Sequence, residues 1–320
     1  MKKVLGFFVV FVLTVFIISC GKQTGENYFL SDYAKKFQNE FDNYSRQITE
    51  NPTNSDAYRQ RAEVRERVGD FKGALEDIKK AVEFDNKNYQ LYYSQAMLEN
   101  ALVYLKDAVQ SFDKVIKITP KNHRAYSDRG RVKEKMGDYE GALEDFSKAI
   151  SLNPNDDEAF VSRGNLKNRI GDKKGALEDF AQAIKINPVN IHAYQSKGHS
   201  IDVRDENYKE AIVSFEKIVQ LNPNSADAYD NLANAKRKFG DKKGALIAYK
   251  KAIELNPSHM YAYANMARLQ RESGNRKEAI ILFEKALEMD PDNQGYKNDI
   301  ENIKKEEEKV KEVALSLQKN

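Results

Sequence analysis

The stretch 137–154, GDYEGALEDFSKAISLNP, decides the fold because the chain repeats it. The stretch 240–257, GDKKGALIAYKKAIELNP, has a glycine, an alanine, an aromatic residue and a proline at the same spacing. In both stretches, small and apolar residues recur every three or four positions, which is the spacing of one face of an α-helix. The stretch therefore predicts a helix that begins after a glycine turn and stops before a proline.

The prolines extend this pattern over most of the chain. The seven prolines are separated by 68, 34, 34, 35, 34 and 34 residues, and Asn86 stands where the double interval would place another. Other columns keep the same phase: an aromatic residue opens each unit, a small residue follows four positions later, and an alanine and a large residue mark the second half. A fixed period of this length indicates a solenoid built from helical hairpins.

Each unit is predicted to be a pair of helices. In the unit 123–156, Tyr126 and Gly130 lie on one face of the first helix, and the glycine lets the second helix approach closely. Gly137 is predicted to end the first helix, because glycine adopts the left-handed conformation at low cost. Pro154 prevents the second helix from continuing. The packing stripe predicted for the second helix is Ala142, Phe146 and Ala149.

These columns resemble the tetratricopeptide-repeat family over residues 55–293. The resemblance implies an all-α solenoid, a right-handed superhelix of helical hairpins with a concave inner groove. The second and fifth repeats lack the turn glycine, in 100–109 and 202–212, so the resemblance leaves the local twist open there. The seven repeats in register are 55–88, 89–122, 123–156, 157–190, 191–225, 226–259 and 260–293.

The two ends of the array need covering helices, because an end repeat would otherwise expose its stacking face. Residues 29–54 are predicted to form an N-terminal helical cap, and residues 294–320 a C-terminal capping helix. The apolar stripes predicted for the two caps are Phe37, Phe41, Tyr44 and Ile48 in the first, and Ile300, Ile303, Val310 and Leu317 in the second.

The leader predicts export and lipidation. Residues 1–19 have two lysines and then an apolar stretch that is shorter than the roughly 20 residues of a membrane span. Cys20, the single cysteine, ends the stretch Ile17–Cys20, which resembles the bacterial lipobox. That resemblance implies a lipid on Cys20 as membrane anchor, with residues 20–28 as lipidated cysteine and tether. Gly21, where an aspartate would favour the inner membrane, weakly favours the outer membrane. An ordinary cleaved signal and an uncleaved anchor are the alternatives.

Composition and motifs exclude several classes of function. The formal net charge of +3 falls to about +1 without the lysines of the leader, which argues against nucleic-acid binding. No nucleophile elbow, phosphate loop or metal-binding helix motif is present, so no catalytic residue, metal or cofactor is predicted. His192 and His199 share a helix face near Asp202, but further ligands are missing, which favours two polar groove residues. The periodic Glu-Asp pairs are predicted to form a solvated outer face.

Recognition remains as the predicted function. The exposed face of each first helix lines the groove, and asparagine and arginine side chains there suit a peptide backbone and carboxylates. We expect peptide segments of other envelope proteins to bind in this groove. A binding module for a wall glycan or small molecule, with Tyr93 and Tyr261 as platforms, and an enzyme with a metal at His192 and His199 are the alternatives. The predicted partner-binding residues are Tyr93, Met97, Arg131, Asn165, Asn168, His199, Asn234, Arg237, Arg268 and Arg271.

Overall fold

The structure is a computed structural model that describes residues 26–205 and 208–318. The predicted signal peptide 1–19 and Cys20 lie outside the described residues, so lipidation stays a prediction. The described residues form sixteen α-helices and no strand, which confirms the all-α prediction. No helix among them has both the length and the apolar character that crossing a membrane requires.

The chain divides into two compact units, between Asn155 and Asp156. Unit 1 contains one long helix and three hairpins: α1 Glu26–Glu50, α2 Ser55–Arg67, α3 Phe71–Phe84, α4 Tyr89–Ala101, α5 Leu105–Ile118, α6 His123–Met136 and α7 Tyr139–Leu152. Unit 2 contains four hairpins and one long helix: α8 Asp157–Arg169, α9 Lys173–Ile186, α10 Ile191–Ser200, α11 Tyr208–Leu221, α12 Ala226–Phe239, α13 Lys242–Leu255, α14 Met260–Glu272, α15 Arg276–Met289 and α16 Gln294–Gln318.

Each hairpin is held together by a close contact between its two helices. Phe146 on α7 is fully buried, and so are Ala142 and Ala149 on the same stripe. A Cβ atom added at Gly130 on α6 would lie 3.0 Å from Cε1 of Phe146, tighter than ordinary van der Waals contact. The small residue therefore sets the distance between the helices, as predicted, and the second helix of each hairpin then packs on the first helix of the next within its unit.

The turn between the two helices uses a glycine and an aspartate in succession. Gly137 has φ +82°, the left-handed region that glycine adopts without strain. Asp138 is the N-cap of α7, and its carboxylate accepts a hydrogen bond of 3.0 Å from the backbone N–H of Gly141. The prediction that Gly137 ends the first helix is confirmed.

The second repeat makes the same turn without either residue. Val103 stands at the glycine position with φ +64°, and it is the one non-glycine residue with positive φ among residues 26–205 and 208–318. Tyr104 stands at the N-cap position of α5 and provides no side-chain cap. Because a β-branched residue is strained in the left-handed region, the hairpin keeps its geometry at a conformational cost.

The prediction that the Glu-Asp pairs form a solvated face is wrong for the aspartates. Glu144 is exposed, but Asp145 is 3% exposed because it faces α6. Arg129 donates two hydrogen bonds to it, from Nε to Oδ2 at 2.9 Å and from Nη2 to Oδ1 at 2.6 Å, and Lys133 lies 2.9 Å from Oδ2. Equivalent ion pairs join Arg61 to Asp77 and Arg163 to Asp179.

The long helix at each end packs on its neighbour through part of its length. On α1, Phe37 is buried, and the guanidinium of Arg67 lies 4.9 Å from its ring centroid. On α16, Ile300 and Ile303 are buried as predicted, but Val310 is 53% exposed. The prediction for Val310 is wrong because α16 has 25 residues and extends past α15, which has 14. The side chain of Leu317 lies outside the described residues.

Relief of the strained turn in the second repeat is expected to stabilise the protein. We expect Val103→Gly to raise the free energy of unfolding by about 1 kcal/mol, because the strain removed exceeds the added entropy of the unfolded chain. The matched control is Gly137→Val, which introduces the same strain in the third repeat and should cost about 1–2 kcal/mol. Urea unfolding followed by circular dichroism measures both; a destabilised Val103→Gly variant would contradict the strain.

The buried ion pairs are expected to matter more for specificity than for net stability. Asp145→Ala should cost about 3 kcal/mol, because it removes the buried carboxylate shared by Arg129 and Lys133 and leaves Arg129 only the exposed Asp113 as partner. In the sixth repeat, Leu232 and Ala248 stand at the positions of Arg129 and Asp145. The double variant Arg129→Leu/Asp145→Ala therefore introduces a pair of residues that already occurs in this fold. We expect the double variant to unfold within about 2 kcal/mol of the wild type. Equal losses in the single and double variants would contradict this account.

Candidate functional site

The candidate site is the exposed face of the first helices of the hairpins, which we call the groove face. Each first helix contributes two positions that are three residues apart, and a third position one turn before them. We call the equivalent positions of successive repeats a column. In unit 1 these positions include Glu63 and Glu66 on α2, Tyr93, Met97 and Asn100 on α4, and Arg131 and Glu134 on α6. In unit 2 they include Asn165 and Asn168 on α8, Gln195 and His199 on α10, Asp230, Asn234 and Arg237 on α12, and Arg268 and Arg271 on α14.

In unit 1 the groove face is joined across helices by hydrogen bonds. The Tyr93 hydroxyl on α4 donates to the carboxylate of Asp128 on α6, which also accepts a hydrogen bond of 2.8 Å from Arg131. One turn further, Lys135 donates a hydrogen bond of 2.9 Å to the side-chain oxygen of Asn100. Burial, and then the bond to Asp128, raise the pKa of Tyr93 well above its usual range. Tyr93 is therefore a fixed, uncharged aromatic wall.

A cavity of about 990 Å³ opens beside Tyr93 in unit 1. Its lining combines the aromatic rings of Tyr89 and Tyr93 with the cations Arg59, Lys121 and Arg124. Met97, one turn after Tyr93 on the same helix, is 44% exposed. Arg59 is paired with Asp56 and Glu63, so the cavity offers an aromatic and apolar surface with the basic groups of Lys121 and Arg124 in its lining.

In unit 2 the groove face begins with two amides that have no internal partner. Asn165 is exposed and Asn168 is half-buried, and neither side-chain amide bonds to another residue in the described part of the chain. On α10, the His199 ring packs 5.1 Å from the Phe215 ring. Burial and the charge of Lys238 lower the pKa of His199, so the ring is neutral near pH 7. These side chains present both donors and acceptors.

Asn234, in the same column as Asn165, is already bonded on both sides. Its amide nitrogen donates a hydrogen bond of 3.1 Å to Asp230, and its oxygen accepts one of 2.8 Å from Tyr249. Asn265 on α14 donates to the other oxygen of Asp230 at 3.3 Å. Asp230 is buried, and this desolvation raises the pKa of its carboxyl above the usual range, against the effect of the two amides. Because the polar groups of Asp230, Asn234 and Asn265 are bonded within the protein, a ligand can bind them only by replacing an internal hydrogen bond.

The predicted arginines of unit 2 are paired with carboxylates of the next first helix. Arg237 on α12 donates to Glu272 on α14, and Arg271 on α14 donates to Glu306 on α16. Arg268 and Arg271 also lie 3.7 Å and 3.6 Å from Asp299. The predicted carboxylate-binding groups thus already hold carboxylates, and an incoming acidic ligand has to displace them.

One spacing accounts for the contacts between neighbouring first helices on the groove face. The pairs Tyr93–Asp128, Asn100–Lys135, Asp230–Asn265, Arg237–Glu272 and Arg271–Glu306 are each 35 residues apart. This spacing is one repeat of 34 residues plus one residue. A side chain on one first helix therefore contacts the residue that follows the equivalent position on the next first helix. Searching the sequence for complementary residues at this spacing would have found these contacts.

The metal site considered as an alternative at His192 and His199 has no further ligands in the described part of the chain. Asp202, the third residue considered, instead accepts two hydrogen bonds from the Arg204 side chain, at 2.9 Å and 2.8 Å. Among residues 26–205 and 208–318, no group of three or more histidine, cysteine, aspartate or glutamate side chains is arranged to hold a metal ion.

Comparisons with known proteins agree with the repeat pattern. Family models described as tetratricopeptide repeat match residues 123–156, 157–190, 226–259 and 260–293. The C-terminal part of a repeat protein of this family from Cytophaga hutchinsonii is 17% identical, with a TM-score of 0.61, over 74% of this chain and 97% of that one. A tetratricopeptide repeat protein from Parabacteroides merdae is 19% identical, with a TM-score of 0.56, over 78% of this chain and 98% of that one. Both show the fold alone. No curated protein matches the sequence.

The buried carboxyl of Asp230 predicts a pH-dependent effect on stability. Because its folded-state pKa is raised, ionisation of Asp230 costs stability as the pH rises from about 4, the ordinary aspartate value, through the folded-state value. Asp230→Asn removes this cost while keeping a side-chain oxygen for Asn234 and Asn265. We expect the variant to be more stable than wild type at pH 7, and the difference to vanish near pH 3.

Urea midpoints at pH 3, 5 and 7 measure this effect. The control is Asp292→Asn, an exposed position where no gain is expected. A loss of stability in Asp230→Asn at pH 7 would show that the hydrogen bonds to the charged carboxylate outweigh its desolvation.

Proposed function

Because this chain is built from tetratricopeptide repeats, we propose that it is a non-catalytic scaffold that binds peptide segments of partner proteins on its groove face. Proteins of this family are generally interaction scaffolds rather than enzymes, and the fold supports a role in protein–protein interaction. The finer proposal is a scaffold anchored by lipid on Cys20 in the bacterial envelope, whose partners are other envelope proteins.

The observation that carries the proposal is the pair of unpartnered amides on α8. An asparagine side chain has one acceptor and two donors, so it can bond at once to the C=O and N–H of an extended backbone. Asn165 and Asn168 lie one turn apart, which suits two successive bonds along one peptide strand. Their groups are solvated now, and a peptide can take the place of water without breaking an internal bond.

The groove face of unit 2 therefore divides into an open part and a closed part. The first two hairpins present Asn165, Asn168 and neutral His199, whereas the last two hold the network of Asp230 and the paired arginines. A ligand gains little from Asn234 or Arg237, because contact with either costs an existing hydrogen bond. We assign backbone recognition to the open part and shape maintenance to the closed part.

Unit 1 is suited to hold a side chain of the partner. Tyr89 and Tyr93 give aromatic walls, and Met97 gives an adaptable apolar surface on the same helix. Lys121 and Arg124 in the cavity lining favour a neighbouring carboxylate. The same cavity is the one observation that favours the alternative function, a binding site for a small molecule or a wall glycan with Tyr93 as platform.

Loss of the two amides is expected to weaken partner binding. We expect Asn165→Ala/Asn168→Ala to reduce affinity for groove-bound partners by about 10-fold or more, since two hydrogen bonds of about 1 kcal/mol each are lost. The matched control is Asn224→Ala, an exposed asparagine between two helices. Quantitative crosslinking in envelope preparations from cells that carry each variant gives the measurement.

Three outcomes separate the candidate functions. The scaffold proposal expects a set of crosslinked proteins that the double variant loses and the control keeps. If that set is unchanged, the groove mechanism is wrong. If purified protein instead sediments with wall glycan, and Tyr93→Ala abolishes this while the double variant does not, the alternative function is correct.

The anchor proposal has its own test. The lipobox resemblance expects cells grown with a labelled fatty acid to label the wild-type chain, because the Cys20 thiol is the acceptor. The Cys20→Ser variant should lose the label and accumulate with its leader uncut. Labelling of that variant, or normal processing without a label in the wild type, would contradict the lipid anchor.

A further inference from the structure

The outward face of the second helices changes character between early and late repeats. This face includes the position that directly precedes the one held by the buried Asp145 in the third repeat. In the last three hairpins that position holds Val213 on α11, Ile247 on α13 and Ile281 on α15, which are 61%, 71% and 51% exposed. We call these three residues the apolar row. In the first four repeats the same position holds Glu76, Gln110, Glu144 and Glu178.

The fold does not require apolar side chains at this position. A single exposed valine or isoleucine is ordinary on a protein surface. Here, however, the same register position is apolar in three consecutive hairpins of unit 2, and four other copies of that position are polar. β-branched residues also have lower helix propensity than glutamate or glutamine. Neither packing nor helix formation accounts for the row.

Lysines flank every member of the apolar row. Each has a lysine four residues before it and another four residues after it, and this spacing places all three side chains on one helix face. The flanking lysines are Lys209 and Lys217, Lys243 and Lys251, and Lys277 and Lys285. In the first repeat, by contrast, a carboxylate, that of Glu76, occupies the place between Lys72 and Lys80.

Several of these lysines lack an anionic partner. In the part of the chain that the structure describes, Lys217, Lys243 and Lys277 form no ion pair or hydrogen bond. Lys251 and Lys285 pair with Glu254 and Glu288, at 2.7 Å and 2.8 Å, between side chains that stay largely exposed. The row is therefore apolar and flanked by six lysines, three of which have no partner among the described residues.

We propose that the apolar row is a docking surface for a protein segment that combines apolar side chains with carboxylates. Apolar side chains of the partner would cover the row, and its carboxylates would lie between the flanking lysines, at the place that Glu76 has between Lys72 and Lys80 in the first repeat. An anionic membrane is the poorer occupant, because α11 and α15 each carry as many acidic as basic residues, and only α13, with four lysines and one glutamate, has a net positive charge. A protein segment, unlike a membrane surface, can place its carboxylates next to the lysines and away from the glutamates.

This surface lies on the second helices, whereas the groove face lies on the first helices. Unit 2 can then hold two partners at once, one through Asn165 and Asn168 and one through the apolar row. The inference does not depend on groove binding, since no residue is shared between the two surfaces.

The test selects peptides from a random display library on the purified full chain in a non-ionic detergent. Counter-selection uses Val213→Glu/Ile247→Glu/Ile281→Glu, which puts glutamate where three of the first four repeats have it and so should keep the fold. Circular dichroism checks the helix content of this variant. We expect the surviving peptides to be enriched in aspartate or glutamate together with leucine, isoleucine or phenylalanine.

Binding of the selected peptide then identifies the surface. We expect Ile247→Glu and Lys243→Glu/Lys251→Glu each to weaken it at least 10-fold, and added salt to weaken it further. Glu144→Ala on α7 and Asn165→Ala/Asn168→Ala should leave it unchanged, which separates this surface from the groove face. Peptides enriched in lysine or arginine, or no peptide that depends on the row, would overturn the proposal.

A vesicle arm covers the other occupant. Vesicles of phosphatidylglycerol and phosphatidylcholine are mixed with the full chain and with the triple variant. If the wild type binds them more strongly than the triple variant and no row-dependent peptide is selected, the row serves a membrane surface and the proposal is wrong. Equal vesicle binding by both chains, with an acidic apolar peptide selected, supports it.

Discussion

The close approach of the two helices in each hairpin is the constraint on which the rest of the structure depends. A Cβ atom at Gly130 would meet Cε1 of Phe146 at 3.0 Å, and at Gly164 it would meet Cε1 of Phe180 at 2.7 Å. Both aromatic rings are fully buried, so they cannot move outward without opening a cavity. The distance between the helices fixes where the next hairpin packs, which is why one repeated stretch determines the fold.

Periodicity predicted the hairpins, their turns and most of their core, but it misjudged the buried charges. The repeated Glu-Asp pattern predicts one solvated acidic pair at Glu144 and Asp145, although the helix gives the two side chains different faces. Asp145 stands three residues after the buried Ala142 and next to Phe146, so the helical phase already directs it towards α6. The burial of Asp145 was therefore predictable from the sequence, whereas its pairing with both Arg129 and Lys133 needed the position of the neighbouring helix.

The groove residues show the converse limit. Their register followed from the repeats, but their availability depends on neighbours in the stack. Asn165 and Asn234 occupy the same column, yet Asn234 is bonded to Asp230 and Tyr249. On α8 and α9 those two positions hold Val161 and Phe180, which have no polar group to offer, so Asn165 keeps its amide free. One residue type in one register thus has two roles, because its partners come from a different part of the repeat.

In a repeat array, each repeat serves as a control for the others. A residue that differs at one position between repeats can therefore be interpreted by comparison with its equivalents. The seven copies of one position have the same place in a hairpin, so the fold places the same structural requirement on the residue at each copy. Where a buried position varies, its partner varies too, as Arg129 and Asp145 become Leu232 and Ala248. The exposed row of Val213, Ile247 and Ile281 varies without any compensating internal change. No internal contact requires this change, and three exposed apolar residues in register oppose solubility, which supports the proposed contact with a partner.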